Sequence, residues 1–397
     1  MTSLPTAPAP GSPARGPVVG LRRRRLRAWA ITGAVLFGFV LAALVVTAYL
    51  RAAFGVQALL LGTLVALLPL TVVIPTFVWL DRLEAEPTRY LLAAFAWGAL
   101  VAVIIAGTLN TSAILVLRQS VSADGATVVT AVLVAPFVEE AAKGMGVLLF
   151  WWLARREFDG LVDGMVYAGV VAAGFAFTEN IQYFAQAWTS GGREAFTVTV
   201  IGRAVLSPFA HPMFTVLTGI GVGVAASTCS TWLKLSAPVA GYLGAVVLHS
   251  LWNFSSSAGA SGFLTAYVVV GVPVFVAWVA LIAWARRREG RLIAAALQPY
   301  AAAGWLGAED VVMLATVGQR HTARRWARRR GGPAGAAAMV RFQEAASELA
   351  LLRQRREISP PTMSAQAYEQ RLLATIASAR QVFLAGPGQS ARGWPGA

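Results

Sequence analysis

The chain has 397 residues, of which 57% are hydrophobic and only 13% charged, and its mean hydropathy is +0.63. A soluble domain is about 45–50% apolar and about 25% charged, so a water-soluble globule is excluded, as is a disordered chain of low hydrophobicity; a polytopic membrane protein remains. The net charge of +15 gathers at the two ends, outside the apolar middle, and the single cysteine, Cys229, excludes an intramolecular disulfide and a CxxC metal site.

In chain order, residues 1–28 hold six Arg, no acid and a Pro-rich start, which predicts a disordered basic tail. Eight apolar stretches follow, each long enough to cross a bilayer. They run near Trp29–Leu50, Val56–Leu80, Tyr90–Leu117, Val128–Leu153, Asp163–Ala187, Thr199–Ala226, Pro238–Ser257 and Gly262–Ala285. The first is longer than a signal-peptide core and reads as a retained anchor, with Arg22 to Arg25 as its positive flank. Arg82, Arg89, Arg155, Arg156, Lys234 and Arg286 to Arg288 fall on one side of the alternating spans; Arg51, Arg118 and Arg193 fall on the other. The positive-inside rule then puts both termini in the cytoplasm of a multi-pass cell-membrane protein. Residues 286–397 form a basic cytoplasmic helical region. Helical periodicity covers Glu309–Arg330 and Ala336–Ile358, broken at Gly331-Gly332-Pro333 and ended by Pro360-Pro361. Its Arg-rich faces, tethered to the inner leaflet, suit anionic lipid rather than nucleic acid.

The informative residues are the ionisable ones inside spans, since each costs about 2.5–3.5 kcal/mol at a helix centre. Span four carries Glu139, Glu140 and Lys143; span five Glu179 and Asn180; span six Arg203 and His211; span seven His249 and Asn253. At a rise of 1.5 Å per residue, Glu140 and His211 lie about 18 Å from the outer ends of their spans, and Glu179 and His249 about 12 Å. Four spans of alternating direction thus bring polar residues to one level, as a single site requires. Glu139 and Glu140 each share a helix face with Lys143, and His249 shares one with Asn253. Two adjacent carboxylates in low dielectric cannot both ionise cheaply, which points beyond a structural ion pair.

Three Glu and two His are the ingredients of water activation. In a zinc version, His211 and His249 bind the metal with Glu179 or Glu139, and Glu140 takes the water proton. In a metal-free version, a buried carboxylate activates water directly, with His249 and Asn253 facing the oxyanion. HExxH and GxSxG motifs are absent. An ion- or proton-coupled transporter, or an inactive scaffold, would use the same cluster differently.

Glu139-Glu140-x-x-Lys143, Phe175-x-x-x-Glu179-Asn180, His211 and His249-x-x-Trp252-Asn253 resemble, in order, the motifs of the PrsW-type intramembrane proteases, relatives of the CAAX prenyl endopeptidases. The resemblance covers about residues 130–257. Glu179 stands where the prenyl endopeptidase branch typically carries His, which favours the PrsW branch. The resemblance implies a membrane-embedded endopeptidase acting on membrane-protein substrates such as an anti-sigma factor, labelled a metalloprotease; the spans predict an all-α membrane bundle with the protease core over 29–285, and the candidate zinc ligands are Glu179, His211 and His249. The candidate catalytic set is Glu139, Glu140, Lys143, Glu179, Asn180, His211, His249 and Asn253.

Overall fold

The computed structural model describes residues 18–155, 158, 160–358 and 363–384. The Pro-rich start, Arg156 and Pro360-Pro361 lie outside the described residues. Every described element is helical. α1 (Val18–Leu80) begins inside the segment expected to be a tail and is broken at Gly55, where φ is 78°, a conformation open to glycine without a Cβ clash. One continuous run therefore holds the first two expected spans. α2 (Thr88–Ala96), a π-helical turn (Trp97–Ala102) and α3 (Val103–Leu117) make the third, and α4 (Ala123–Val129), a second π-turn (Thr130–Val134) and α5 (Ala135–Leu153) make the fourth.

α6 (Leu161–Val200) is broken at Gly192, where φ is 62°. The helix resumes through a π-turn (Ile201–Leu206), stops, and starts again as α7 (Ala210–Ser227). The sixth span, expected to be continuous over Thr199–Ala226, is thus interrupted at Ser207-Pro208-Phe209. Pro208 has no amide hydrogen to continue the ladder, and Ser207 turns out of the helix (φ −131°, ψ 42°). Ser207 closes the end by donating from both its amide (3.1 Å) and its hydroxyl (2.7 Å) to the Gly202 carbonyl. α8 (Thr231–Ser257), α9 (Gly259–Ala266), a π-turn (Tyr267–Gly271) and α10 (Val272–Ala302) complete the membrane part. Among the described residues, six runs are long and apolar enough to cross a membrane, and the glycine breaks divide two of them. The protein is a multi-pass, all-α membrane bundle.

α6 lies at the centre, with Met165, Val166, Tyr167 and Val171 fully buried. Small residues bring its neighbours close: a Cβ on Gly164 would lie 2.0 Å from the Gly219 carbonyl of α7, and one on Gly98 1.9 Å from the Val171 carbonyl. Close backbone approach of this kind is what glycine supplies at membrane helix contacts. Here it brings the Glu179 face of α6 against the start of α7.

A second core gathers Leu297 of α10, Leu314 of α11 (Ala308–Leu314), Phe342 and Leu349 of α12 (Val317–Ile358), and Ile376 of α13 (Met363–Leu384). α12 breaks at Gly331 and Gly332, as the sequence predicts. The helix expected over Glu309–Arg330 is divided between α11 and α12, and α13 was not anticipated. Leu83, from the turn after α1, is buried in this core. Arg320, 4% exposed, donates to the carbonyls of Leu83 (2.8 Å) and Leu314 (2.7 Å) and to the Ser347 hydroxyl (2.8 Å). Burial lowers its pKa to about 10, so it stays charged at neutral pH.

Candidate active site

Pro136 stands near the start of α5, directly after the π-turn. A proline that cannot donate backwards is compatible with a widened turn before it. One turn later α5 presents Glu139, Glu140 and Lys143 to the interior, all buried. The break at Ser207–Phe209 puts His211 in the first turn of α7, facing α6. His249 is buried on α8.

These residues meet. Lys143 Nζ donates to Glu140 Oε1 at 2.8 Å and to His211 Nδ1 at 3.0 Å. His211 Nε2 lies 2.8 Å from Glu179 Oε2. Because Nδ1 accepts from an ammonium, the neutral ring carries its proton on Nε2 and donates it to Glu179. His249 Nδ1 lies 3.0 Å from Glu140 Oε1, which leaves its Nε2 lone pair facing Glu139 Oε2 at 3.8 Å. The Lys143 ammonium also sits 4.0 Å above the Phe175 ring. The three carboxylates face two fixed cations, Lys143 and Arg203, so one negative charge is in excess when both imidazoles are neutral.

Glu139 and Glu140 differ sharply. Glu140 is saturated: Lys143 and His249 hold Oε1, and Thr215 donates to Oε2 at 2.8 Å. Glu139 Oε1 accepts from Asn110 Nδ2 at 3.2 Å, but its buried Oε2 has no hydrogen-bond partner.

Three participants were not in the sequence-derived set. Arg203 pairs with Glu179, donates from Nε to Asn180 Oδ1 at 2.7 Å, and lies 4.0 Å over the Tyr183 ring. Thr215 sits one turn after His211 on the same face, a spacing that marks it in the sequence. Asn110 was visible only as a lone amide in an apolar span. Asn253 behaves differently from expectation: its amide donates to the Ala131 carbonyl at 2.8 Å, and no hydrogen bond joins it to the cluster among the described residues.

The metal-ligand set also shifts. The residues whose donor atoms lie within 4.8 Å of one another are Glu139, His211 and His249. Glu179 is instead engaged by Arg203 and His211. Two imidazoles and one carboxylate are the donors zinc takes in hydrolases. The unpartnered Glu139 Oε2 and the free Nε2 of His249, its ring held by Glu140 as metal-bound imidazoles usually are, fit such an ion. His211 has both nitrogens occupied and must release one to join them. A cavity of about 20 Å³, room for one water, lies beside His211, lined by Asn180, Arg203, Ser207 and Trp252.

Residues 86–281 match the PrsW family model, described as intramembrane metalloproteases. Over this segment the chain is similar to the PrsW family. It contains the whole cluster; the tail after residue 281 lies outside the match. Protease PrsW of Geobacillus kaustophilus is 32% identical over 148 residues, which is 36% of this chain and 58% of the relative. Protease PrsW of Clostridioides difficile is 31% identical over 140 residues, 35% of this chain and 55% of the relative. That of Oceanobacillus iheyensis is 34% identical over 108 residues, 27% and 46% respectively. The chain thus spans about half the length of the PrsW relatives it matches. No solved structure matches it.

Proposed function

We propose that the protein is an intramembrane endopeptidase that activates water at the Glu139–His249 end of the cluster. One observation carries this: Glu139 Oε2 is buried without a hydrogen-bond partner and faces the lone pair of an imidazole that another carboxylate orients. Lys143 Nζ lies 3.7 Å from this oxygen, too far to hydrogen-bond it, so the atom keeps the open lone pair that a general base or a metal ligand needs.

The residues divide the work. Glu140, with both oxygens taken, orients His249 and holds Lys143. Glu179, fixed by Arg203, orients His211. Glu139 receives the proton of a water placed between its Oε2 and His249 Nε2. The one-water cavity receives the substrate carbonyl oxygen, where Arg203 and Asn180 stand as donors in place of Asn253. Zinc, if held by Glu139, His211 and His249, would supply a more acidic water and polarise the carbonyl.

The substrates we infer are membrane-spanning proteins, with an anti-sigma factor as the class suggested by the motif resemblance. The orientation has both termini in the cytoplasm of a cell membrane, a protease core over residues 29–285, and the basic region 286–397 against anionic inner-leaflet lipid. The test is cleavage of a membrane-spanning reporter by the purified chain in vesicles, with and without chelator and with metal content measured. Cleavage lost in well-folded Glu139→Gln and His249→Ala supports the reading. Cleavage that survives both sinks it.

A further inference from the structure

The second span ends where three separate stretches of chain converge. Trp79 and Leu80 close α1, and Arg286 of α10 caps them: its guanidinium lies 3.9 Å over the Trp79 ring and donates to the carbonyls of Trp79 and Leu80. Trp and Arg together at a span end mark the headgroup level of a bilayer. Two residues on, Arg82 Nη1 meets Nε2 of His321, from the start of α12, at 3.1 Å. Arg324 and Arg325 of α12 face the same imidazole, and Arg324 faces Arg82 as well.

The acids nearby serve other cations: Glu289 faces Arg286 and Arg320, and Glu344 faces Arg324. Arg324 Nε is committed to Gln343 Oε1 at 2.6 Å. Among the described residues, no ion pair engages Arg82, His321 or Arg325, and all three are exposed. Like charges brought together by the fold at headgroup level, where Glu344 offsets only Arg324, form an anion site. We propose that Arg82, His321, Arg324 and Arg325 bind the phosphate of an anionic lipid headgroup.

The chemistry is specific. Arg82 donates to Nε2, so a neutral His321 carries its proton on Nδ1 and can donate it outward. Burial and then the three arginines hold the His321 pKa below its ordinary value, which keeps that tautomer at neutral pH until an anion arrives. Guanidinium forks match phosphate oxygens in pairs. A bound phosphate would join the turn after the second span to α12, and so join the tail to the membrane surface. This deepens the lipid contact proposed above and rests on it, while owing nothing to peptidase activity.

The test uses the full chain in vesicles of phosphatidylcholine with phosphatidylglycerol, extracted and weighed by native mass spectrometry for retained lipid. The wild type should retain phosphatidylglycerol in preference to phosphatidylcholine. Arg82→Gln and Arg325→Gln should each weaken that retention about five-fold, the contribution of one basic residue near an anionic surface. Arg82→Lys, which keeps the charge and the fold, should fall between. Arg287→Gln/Arg288→Gln, exposed basic residues outside the cluster, should retain lipid like the wild type. Equal losses in that control and in the cluster variants would overturn the site while leaving a diffuse lipid contact standing. No preference for phosphatidylglycerol in the wild type would overturn both. Displacement of the lipid by inorganic phosphate at millimolar concentration would show a site for the free anion and overturn the lipid assignment.

Discussion

Two buried cations, Lys143 and Arg320, show how the membrane site and the tail core differ. Arg320 donates only to neutral oxygens, and each of its hydrogen bonds goes to a carbonyl or a hydroxyl. Lys143 is surrounded by titratable groups: Glu140, His211 and, at 3.7 Å, Glu139. The first arrangement fixes a chain crossing and leaves nothing to react. The second ties the charge of each group to that of its neighbours and leaves one carboxylate oxygen, Glu139 Oε2, without a hydrogen bond. Burial alone does not distinguish the two; the chemical nature of the partners does.

The comparison breaks most directly at the site. Glu139→Gln and His249→Ala should each lower reporter cleavage by at least about 100-fold, in the range of losing a general base, with thermal unfolding near wild type. Glu140→Gln should lose as much activity and also stability, because it leaves the Lys143 ammonium without its nearest carboxylate. A Glu140→Gln protein that unfolds like the wild type would show that Glu140 does not hold Lys143.

The two cations themselves give the next effect. Lys143→Met leaves buried carboxylates uncompensated, a loss of about 3–5 kcal/mol, and should reduce stability and cleavage together. Arg320→Met leaves neutral acceptors unpaired at about 1–3 kcal/mol each. It should loosen the tail, read as faster hydrogen exchange in α11 and α12, with the cleavage rate within about three-fold of wild type, since its ΔΔG falls on tail folding. A large fall in cleavage would show that the tail core sets the geometry of the site.

Arg203 sharpens the same contrast at the site's edge. Arg203→Lys keeps a charge for Glu179 but loses the fork that reaches Asn180, and should lower kcat about 10-fold with KM little changed. Equal effects on both would place Arg203 in substrate binding. The smallest effect belongs to Asn253→Ala, which removes one hydrogen bond to the Ala131 carbonyl. About 1 kcal/mol of stability and no resolvable change in kcat are expected, and a catalytic defect would restore Asn253 to the site.

The spans were legible because twenty apolar residues in a row have few alternatives to crossing a bilayer, and the meeting of Glu140, Glu179, His211 and His249 followed from their shared depth. What was not legible depends on side-chain partners. Depth puts Glu139 and Glu179 at one level, but only the packing of the helix before Ser207 gives Arg203 to Glu179 and leaves Glu139 open. Asn253 shares a helix face with His249, yet the π-turn at Thr130–Val134 offers it a carbonyl. α13 was missed although Leu372, Leu373, Ile376, Ala379 and Phe383 follow a helical spacing, since its stripe is short and follows two prolines.

α10 has a further use. Its 31 residues run without a break from Trp278 and Ile282 in the membrane core to Ile293 and Leu297 in the tail core, a rod of about 46 Å at 1.5 Å per residue. The tail is therefore a handle on the bilayer-embedded part. An antibody fragment gripping α12 and α13 would turn with the eighth span, giving a small, featureless membrane protein an external marker for image alignment.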